Sequence, residues 1–215
     1  MKGEMDNQWK QQTIGIAGCG GLGGNLIENF LRLGMTHLVV CDGDVFEPSN
    51  MDRQILCTQD TLGRKKVNAA RERAKMIAPD TTVEAYDVFV DENNGKEIFR
   101  DCVLIVDALD SLEGRKILRS VCRELQIPLV HGAICDWALE VGVLYPGDLF
   151  PMAAAVTRRE EQVLSFVPAV CAGLQVAEAV KILRGEESSL QSRIRYMDLK
   201  TCDNYDLVLQ NEEAQ

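Results

Sequence analysis

Histidine is nearly absent from this chain of 215 residues: His37 and His131 are the only two. Each sits in an apolar, strand-like run, so a core or strand-end role is expected of both rather than catalysis. Positive charge is in deficit, with 23 Lys and Arg against 33 Asp and Glu and a net charge of −10. That lacks the cationic surface on which a general nucleic-acid or anionic-membrane binder relies, and it leaves room for a local basic pocket around one phosphate ligand. The eight cysteines, at 19, 41, 57, 102, 122, 135, 171 and 202, include no pair three positions apart. This removes C-x-x-C and the thiolate zinc site of ordinary spacing, so no zinc is expected. No long apolar run is free of polar residues: Phe166 to Leu183 contains Gln175, Glu178 and Lys181 and reads as a buried helix, not a membrane span. The first residues, MKGEMDNQWKQQ, have no apolar signal core. The cysteines are therefore expected to be reduced thiols in a cytoplasm, most of them small core hydrophobes. Apolar residues at 46% exclude disorder as the main state.

What is present alternates strand and helix. Strands are predicted at Thr13 to Ala17, His37 to Cys41, Thr82 to Val88, Val103 to Ala108 and Pro128 to Gly132. Helices are predicted at Asn25 to Leu33, Lys65 to Ile77, Leu112 to Leu125 and Val167 to Leu183. Trp137 to Tyr145 reads as a longer strand with one wet face, and Arg193 to Leu199 with Tyr205 to Leu209 as a final pair. Asp44 to Asp60 is a long irregular segment, and a loop of that length inside a domain is usually functional. Pro151 to Glu161 reads as a crossover. The expected organisation is a tail over 1–12 and a single α/β domain over 13–215: a Rossmann-like, doubly wound, mostly parallel sheet with antiparallel strands at the C-terminal end.

Four clusters carry chemistry. Gly18-Cys19-Gly20-Gly21-Leu22-Gly23 is G-x-G-x-x-G between a strand and a helix, where glycines allow a tight turn and the helix start offers free N–H groups to phosphate. Asp42 follows at the end of the second strand, 19 positions after Gly23, where a carboxylate can accept bonds from a ribose. Beyond Asp42 and Asp44, a dehydrogenase would run into a plain helix. Here a polar loop supplies Asn50, Arg53 and Gln54, of which Arg53 can fork across phosphate oxygens. In Gly63-Arg64-Lys65-Lys66, basic residues open a helix against the macrodipole preference, which implies a nearby anion and singles out Lys66. Asp107-Ala108-Leu109-Asp110-Ser111 ends the fourth strand at the crevice, where Asp110 can hold Mg²⁺ beside a triphosphate or cap the next helix.

In this order and spacing, G-x-G-G-x-G, D-x-D, S-N-x-x-R-Q, G-x-x-K and D-x-x-D resemble the ThiF/MoeB/HesA family, the prokaryotic relatives of ubiquitin-activating enzymes. The resemblance runs from about Thr13 to Leu209. It takes in Val167-Pro168-Ala169-Val170, the helix with Gln175, Glu178 and Lys181, and Arg195-Tyr196-Met197-Asp198. It implies an adenylyltransferase that uses ATP and Mg²⁺ to activate the C-terminal glycine carboxylate of a ubiquitin-like sulfur-carrier protein ending in Gly-Gly. The pathway implied is thiamine, or molybdenum or tungsten cofactor, biosynthesis. By resemblance, Asp42 is the ribose acid; Gly18, Gly20, Gly21 and Gly23 form the phosphate loop; Asp44, Asn50, Arg53, Gln54 and Lys66 line the nucleotide; Asp110 is the magnesium acid. Arg53, Lys66 and Asp110 are the catalytic set. A cytoplasmic homodimer is expected.

Three features depart from the family pattern. There are no zinc-binding cysteine pairs. The residues before Thr13 hold Lys2 and Lys10 but no arginine to reach a partner's site. No cysteine stands in a recognisable sulfur- or carrier-accepting context, Cys135 and Cys202 being the candidates. Other readings are adenylation of a small-molecule or tRNA-linked carboxylate, a non-catalytic nucleotide-binding module, and a nicotinamide reductase. The last leaves Arg53, Lys66 and Asp110 without a task.

Overall fold

The computed structural model describes residues 7–149 and 163–211. In chain order it has strand β1 (Thr13–Ala17), helix α1 (Gly21–Leu33), β2 (His37–Cys41), α2 (Lys66–Ile77), β3 (Thr82–Tyr86), α3 (Gly95–Ile98), β4 (Leu104–Asp107), α4 (Leu112–Leu125), β5 (Leu129–Cys135), β6 (Ala138–Leu144), β7 (Asp148–Leu149), α5 (Phe166–Leu183), β8 (Arg193–Asp198), β9 (Asn204–Val208) and β10 (Gln210–Asn211). Eight strands form one sheet in the order β3-β2-β1-β4-β5-β6-β8-β9, and β7 pairs with β10 apart from it. The first five in that order run parallel; β6, β8 and β9 are added antiparallel. The order reverses between β1 and β4, so the crevice beyond their carboxyl ends is where such a sheet binds ligands.

Both faces of β1, β2, β4 and β5 are covered, which is why these parallel strands read as apolar runs. Ile14, Ile16, Leu38, Val40, Leu104 and Val106 point to one face with Leu26 and Phe30 of α1, Ala70 of α2 and Cys171 of α5. Their neighbours Val39, Cys41 and Ile105 point to the other, with Ile98 of α3 and Leu118 and Val121 of α4. Helix α5 packs on α1, β5 and β6 and buries nine of its 18 residues, among them Gln175 and Glu178.

Several boundaries differ from the sequence reading. Helix α1 starts at Gly21, not Asn25, because glycines of the loop continue into the helix, and it ends on Gly34 in the left-handed conformation (φ 81°). Strand β3 stops at Tyr86 rather than Val88, β4 keeps to Leu104–Asp107, and β5 runs on to Cys135 to pair with β6. The short α3 and the β7–β10 pair have no counterpart in the sequence reading. Gln8–Gln11 is a 3-10 turn, and Lys10 O accepts bonds from Thr36 N and Oγ1 while Gln12 Nε2 donates to Leu183 O. The expected crossover at 151–161 lies outside the described residues.

Candidate nucleotide site

The glycine loop is closed by steric contact. Gly18 sits at φ +100°, and a Cβ there would stand 2.6 Å from Ala108 O. A Cβ on Gly23 would overlap Gly18 O. Only glycine lets β1 turn this tightly into α1 beside the end of β4. The amides of Gly21, Leu22 and Gly23 precede the first bond of α1, Gly24 N to Gly20 O, and helix-opening amides of this kind suit an anion.

Asp42 organises the loop. It is 9% exposed; Oδ2 accepts from Cys19 N at 2.7 Å and Oδ1 from Asp44 N at 2.8 Å. Burial raises its pKa, and the two amides and Lys66 pull it back in part. Each carboxylate oxygen keeps a second acceptor site for a ribose hydroxyl. The thiols of Cys19 and Cys41 are pushed up by burial, Cys41 to about 12, so both remain neutral core groups and Cys19 is no nucleophile.

Lys66, the first residue of α2, is 6% exposed, and its Nζ lies 3.0 Å from Asp44 Oδ2. One of its three protons is thereby used, and the others remain for an anion. Its neighbours are tied elsewhere: Lys65 to Asp87 and Gly43 O, and Arg64 to Glu72. Gln54 is buried, and among the described residues nothing bonds its Oε1. A Cβ on Gly20 would meet the Gln54 amide at 3.6 Å, and one on Gly21 would meet Arg53 O at 3.5 Å, so this loop walls the glycine turn. The Arg53 guanidinium is held by Ser49 O at 2.8 Å and Asp52 at 2.7 Å rather than by a site acid. Asn50 ends a 3-10 turn and receives Glu47 N on its Oδ1. Asp110 is exposed in the β4–α4 loop; the helix cap is Ser111, whose Oγ accepts from Gly114 N.

The site therefore brings together Gly18, Gly20, Gly21, Gly23, Asp42, Asp44, Gln54 and Lys66, with Asp110 two residues beyond the Ala108 contact. Arg53 and Asn50 border it through their backbone and turn. Sequence reasoning missed Phe89, 65% exposed, whose ring lies 2.7 Å from where a Gly43 Cβ would be. The glycine between two acids was its only trace. It also missed the buried partners of Asp107.

Comparison with known proteins decides the family. The model of the ThiF family matches residues 2–214. The chain belongs to the ThiF family. A SAMP-activating enzyme E1 from Haloferax volcanii is 34% identical over 192 residues, which are 85% of this chain and 71% of that protein. A sulfur carrier protein adenylyltransferase from Thermus thermophilus is 30% identical, over 91% of this chain and 78% of that one. Among solved structures, E. coli MccB with succinimide superposes with a TM-score of 0.86 at 16% identity, covering 97% of this chain and 67% of that one, which shows the fold. As a family member the chain is an adenylyltransferase of the ThiF/MoeB type.

Proposed function

We propose that the chain uses ATP and Mg²⁺ to adenylate the C-terminal glycine carboxylate of a ubiquitin-like sulfur-carrier protein ending in Gly-Gly. The carrier class is supported by the name of the Thermus thermophilus relative, which covers nine-tenths of the chain. Sulfur incorporation for thiamine, or for a molybdenum or tungsten cofactor, is the setting we infer. The chain would work as a homodimer in the cytoplasm.

The observation that carries the nucleotide reading is the buried Lys66 beside Asp44 and Asp42 at the switch point. With Asp42 placed for an unphosphorylated ribose, that cation suits the phosphates of ATP rather than the 2′-phosphate of a reductase's cofactor. The residues fit ATP: the glycine turn and the α1 amides suit phosphates, the spare lone pairs of Asp42 suit the ribose, and the orphan Gln54 Oε1 awaits a donor. The exposed Phe89 ring offers an apolar surface for a base. Mg²⁺ on Asp110 would neutralise charge on the phosphates.

In the reaction, a carboxylate oxygen forms a bond to the α-phosphorus, the bond from that phosphorus to the bridging oxygen breaks, and pyrophosphate leaves with the electron pair. No proton has to move. The protein supplies alignment, and positive charge from Lys66 where the leaving group develops; Arg53 would add to it by exchanging Asp52 for the phosphates. The test is ATP–pyrophosphate exchange with candidate carriers from the same genome, together with calorimetry. Carrier-dependent exchange and ATP binding are expected; tight NAD binding without ATP binding would overturn the reading.

A further inference from the structure

Beneath the crevice, four ionisable side chains meet out of water. Asp107 ends β4, His131 stands beside it on β5, Glu140 lies on β6, and Arg115 reaches them from α4; their exposures are 0, 1, 4 and 8%. Register brings them together. Val106 aligns with Val130, one residue before Asp107 and His131. Gly142 stands opposite His131, so no side chain intervenes as Glu140 approaches diagonally on the same face. His131 Nδ1 is 2.9 Å from Asp107 Oδ2, its Nε2 is 3.7 Å from Glu140 Oε2, and Arg115 Nε is 3.6 Å from Asp107 Oδ2.

Among the described residues, one guanidinium faces two buried carboxylates, which leaves one negative charge to be balanced in a protein interior. An imidazolium on His131 supplies the missing charge and presents an N–H to each carboxylate; a neutral ring can donate to only one. Among the described residues the other groups around it supply none: Arg119, one turn further along α4, donates to Tyr145 O and Asp148 O. From α5, the Gln175 amide donates to Asp107 O and Val130 O, and the Cys171 thiol is held neutral by burial and by Asp107. From β8, Tyr196 stands across from Glu140 with its hydroxyl pushed up by burial and nearby acids.

The same cluster grips the site. Asp107 Oδ1 accepts from Leu109 N at 2.9 Å, and Arg115 Nη2 donates to Leu109 O at 2.8 Å. Both backbone polar groups of Leu109 are thus fixed by the cluster, and Asp110 is the next residue. We propose that His131 is doubly protonated in the working protein and, by bridging Asp107 and Glu140, acts as a positioning residue for the loop that presents Asp110. What Asp110 does there rests on the adenylation reading; the bridge does not. Burial alone would lower the pKa of His131, and the carboxylates on its two nitrogens outweigh that and raise it.

With only two histidines in the chain, ring ¹⁵N spectra are simple to assign, His37→Asn identifying the second signal. Three observables are expected to share one midpoint, above the ordinary imidazole value of about 6.5. These are deprotonation of the His131 ring, the shift of the Leu109 and Asp110 amide peaks, and a fall in kcat for pyrophosphate exchange with little change in KM for ATP. Glu140→Gln removes one carboxylate and should move all three midpoints down together. His131→Gln should lower the rate about tenfold and flatten that limb of the profile. Thermal melts on each variant separate unfolding from mispositioning. A neutral His131 ring at pH 7, amides that ignore its titration, or a Glu140→Gln variant in which only the ring midpoint moves would each overturn the proposal. Absence of any exchange in the native chain would refute the adenylation reading, and the ring and amide titrations would still decide the bridge.

Discussion

Gly18→Ala tests the closure of the nucleotide loop, because its cost can be worked from two separate features. The backbone at Gly18 has φ +100°, which an L side chain adopts only under strain of about 1–3 kcal/mol. The new methyl would also lie 2.6 Å from Ala108 O and 3.0 Å from Ala108 C, both backbone atoms that cannot rotate aside. Relieving an overlap of that kind in a packed interior costs about 1–3 kcal/mol. The strands cannot slide to absorb it, since Gly18 N is bonded to Cys41 O at 2.8 Å and Ala108 N to Ala17 O at 2.9 Å. The expected loss is therefore about 2–6 kcal/mol of unfolding free energy in urea. Movement of the Ala108 carbonyl would also disturb the loop leading to Asp110, so calorimetry on the folded variant should show ATP binding weakened at least about tenfold, or roughly 1.4 kcal/mol. An unchanged urea midpoint with unchanged ATP affinity would refute the reasoning.

Asp110→Ala should keep the fold, since the residue is exposed, and lower pyrophosphate exchange on the order of 100-fold; near-normal exchange would remove its assigned role. His131 links stability to pH. Its folded pKa is raised above an unfolded value of about 6.5, so its contribution is full below about 6.5 and is lost as pH rises through the folded value. Thermal melts across that range should show the loss, and Glu140→Gln should shrink it. Gly173→Ala, in the interior of α5 with none of the described residues within 4 Å of the new methyl, should stabilise the chain by about 0.5–1 kcal/mol in urea. Light scattering should give twice the chain mass; a monomer at all concentrations would reject the dimer.

Much of this architecture could be read in the sequence because the two sheet faces leave a simple pattern. Runs such as HLVVC and LIVD are apolar on both sides, as strands buried between helices must be, and the glycine loop marks the first crossover. The start of α1 could not be read, since glycines that signal a turn here continue as helix to allow close approach to β1 and β4. The α3 turn, four residues long, carries too little periodicity to stand out. In the site, Asp42, Lys66 and the glycines were legible because motif order fixes which strand end each occupies. The Asp107–His131–Glu140 cluster was not, because its members come from three strands and only register brings them together. Glu140 gave a faint signal, as a charge within the apolar ALEVGVL run implies a buried partner.

The most direct measurement of the central claim is the intact mass of a carrier. A ubiquitin-like sulfur carrier ending in Gly-Gly, incubated with the protein, ATP and Mg²⁺, should gain one AMP, and the same carrier lacking its last glycine should gain none. ATP consumption with AMP appearing on a small molecule or RNA and never on a carrier would contradict the account.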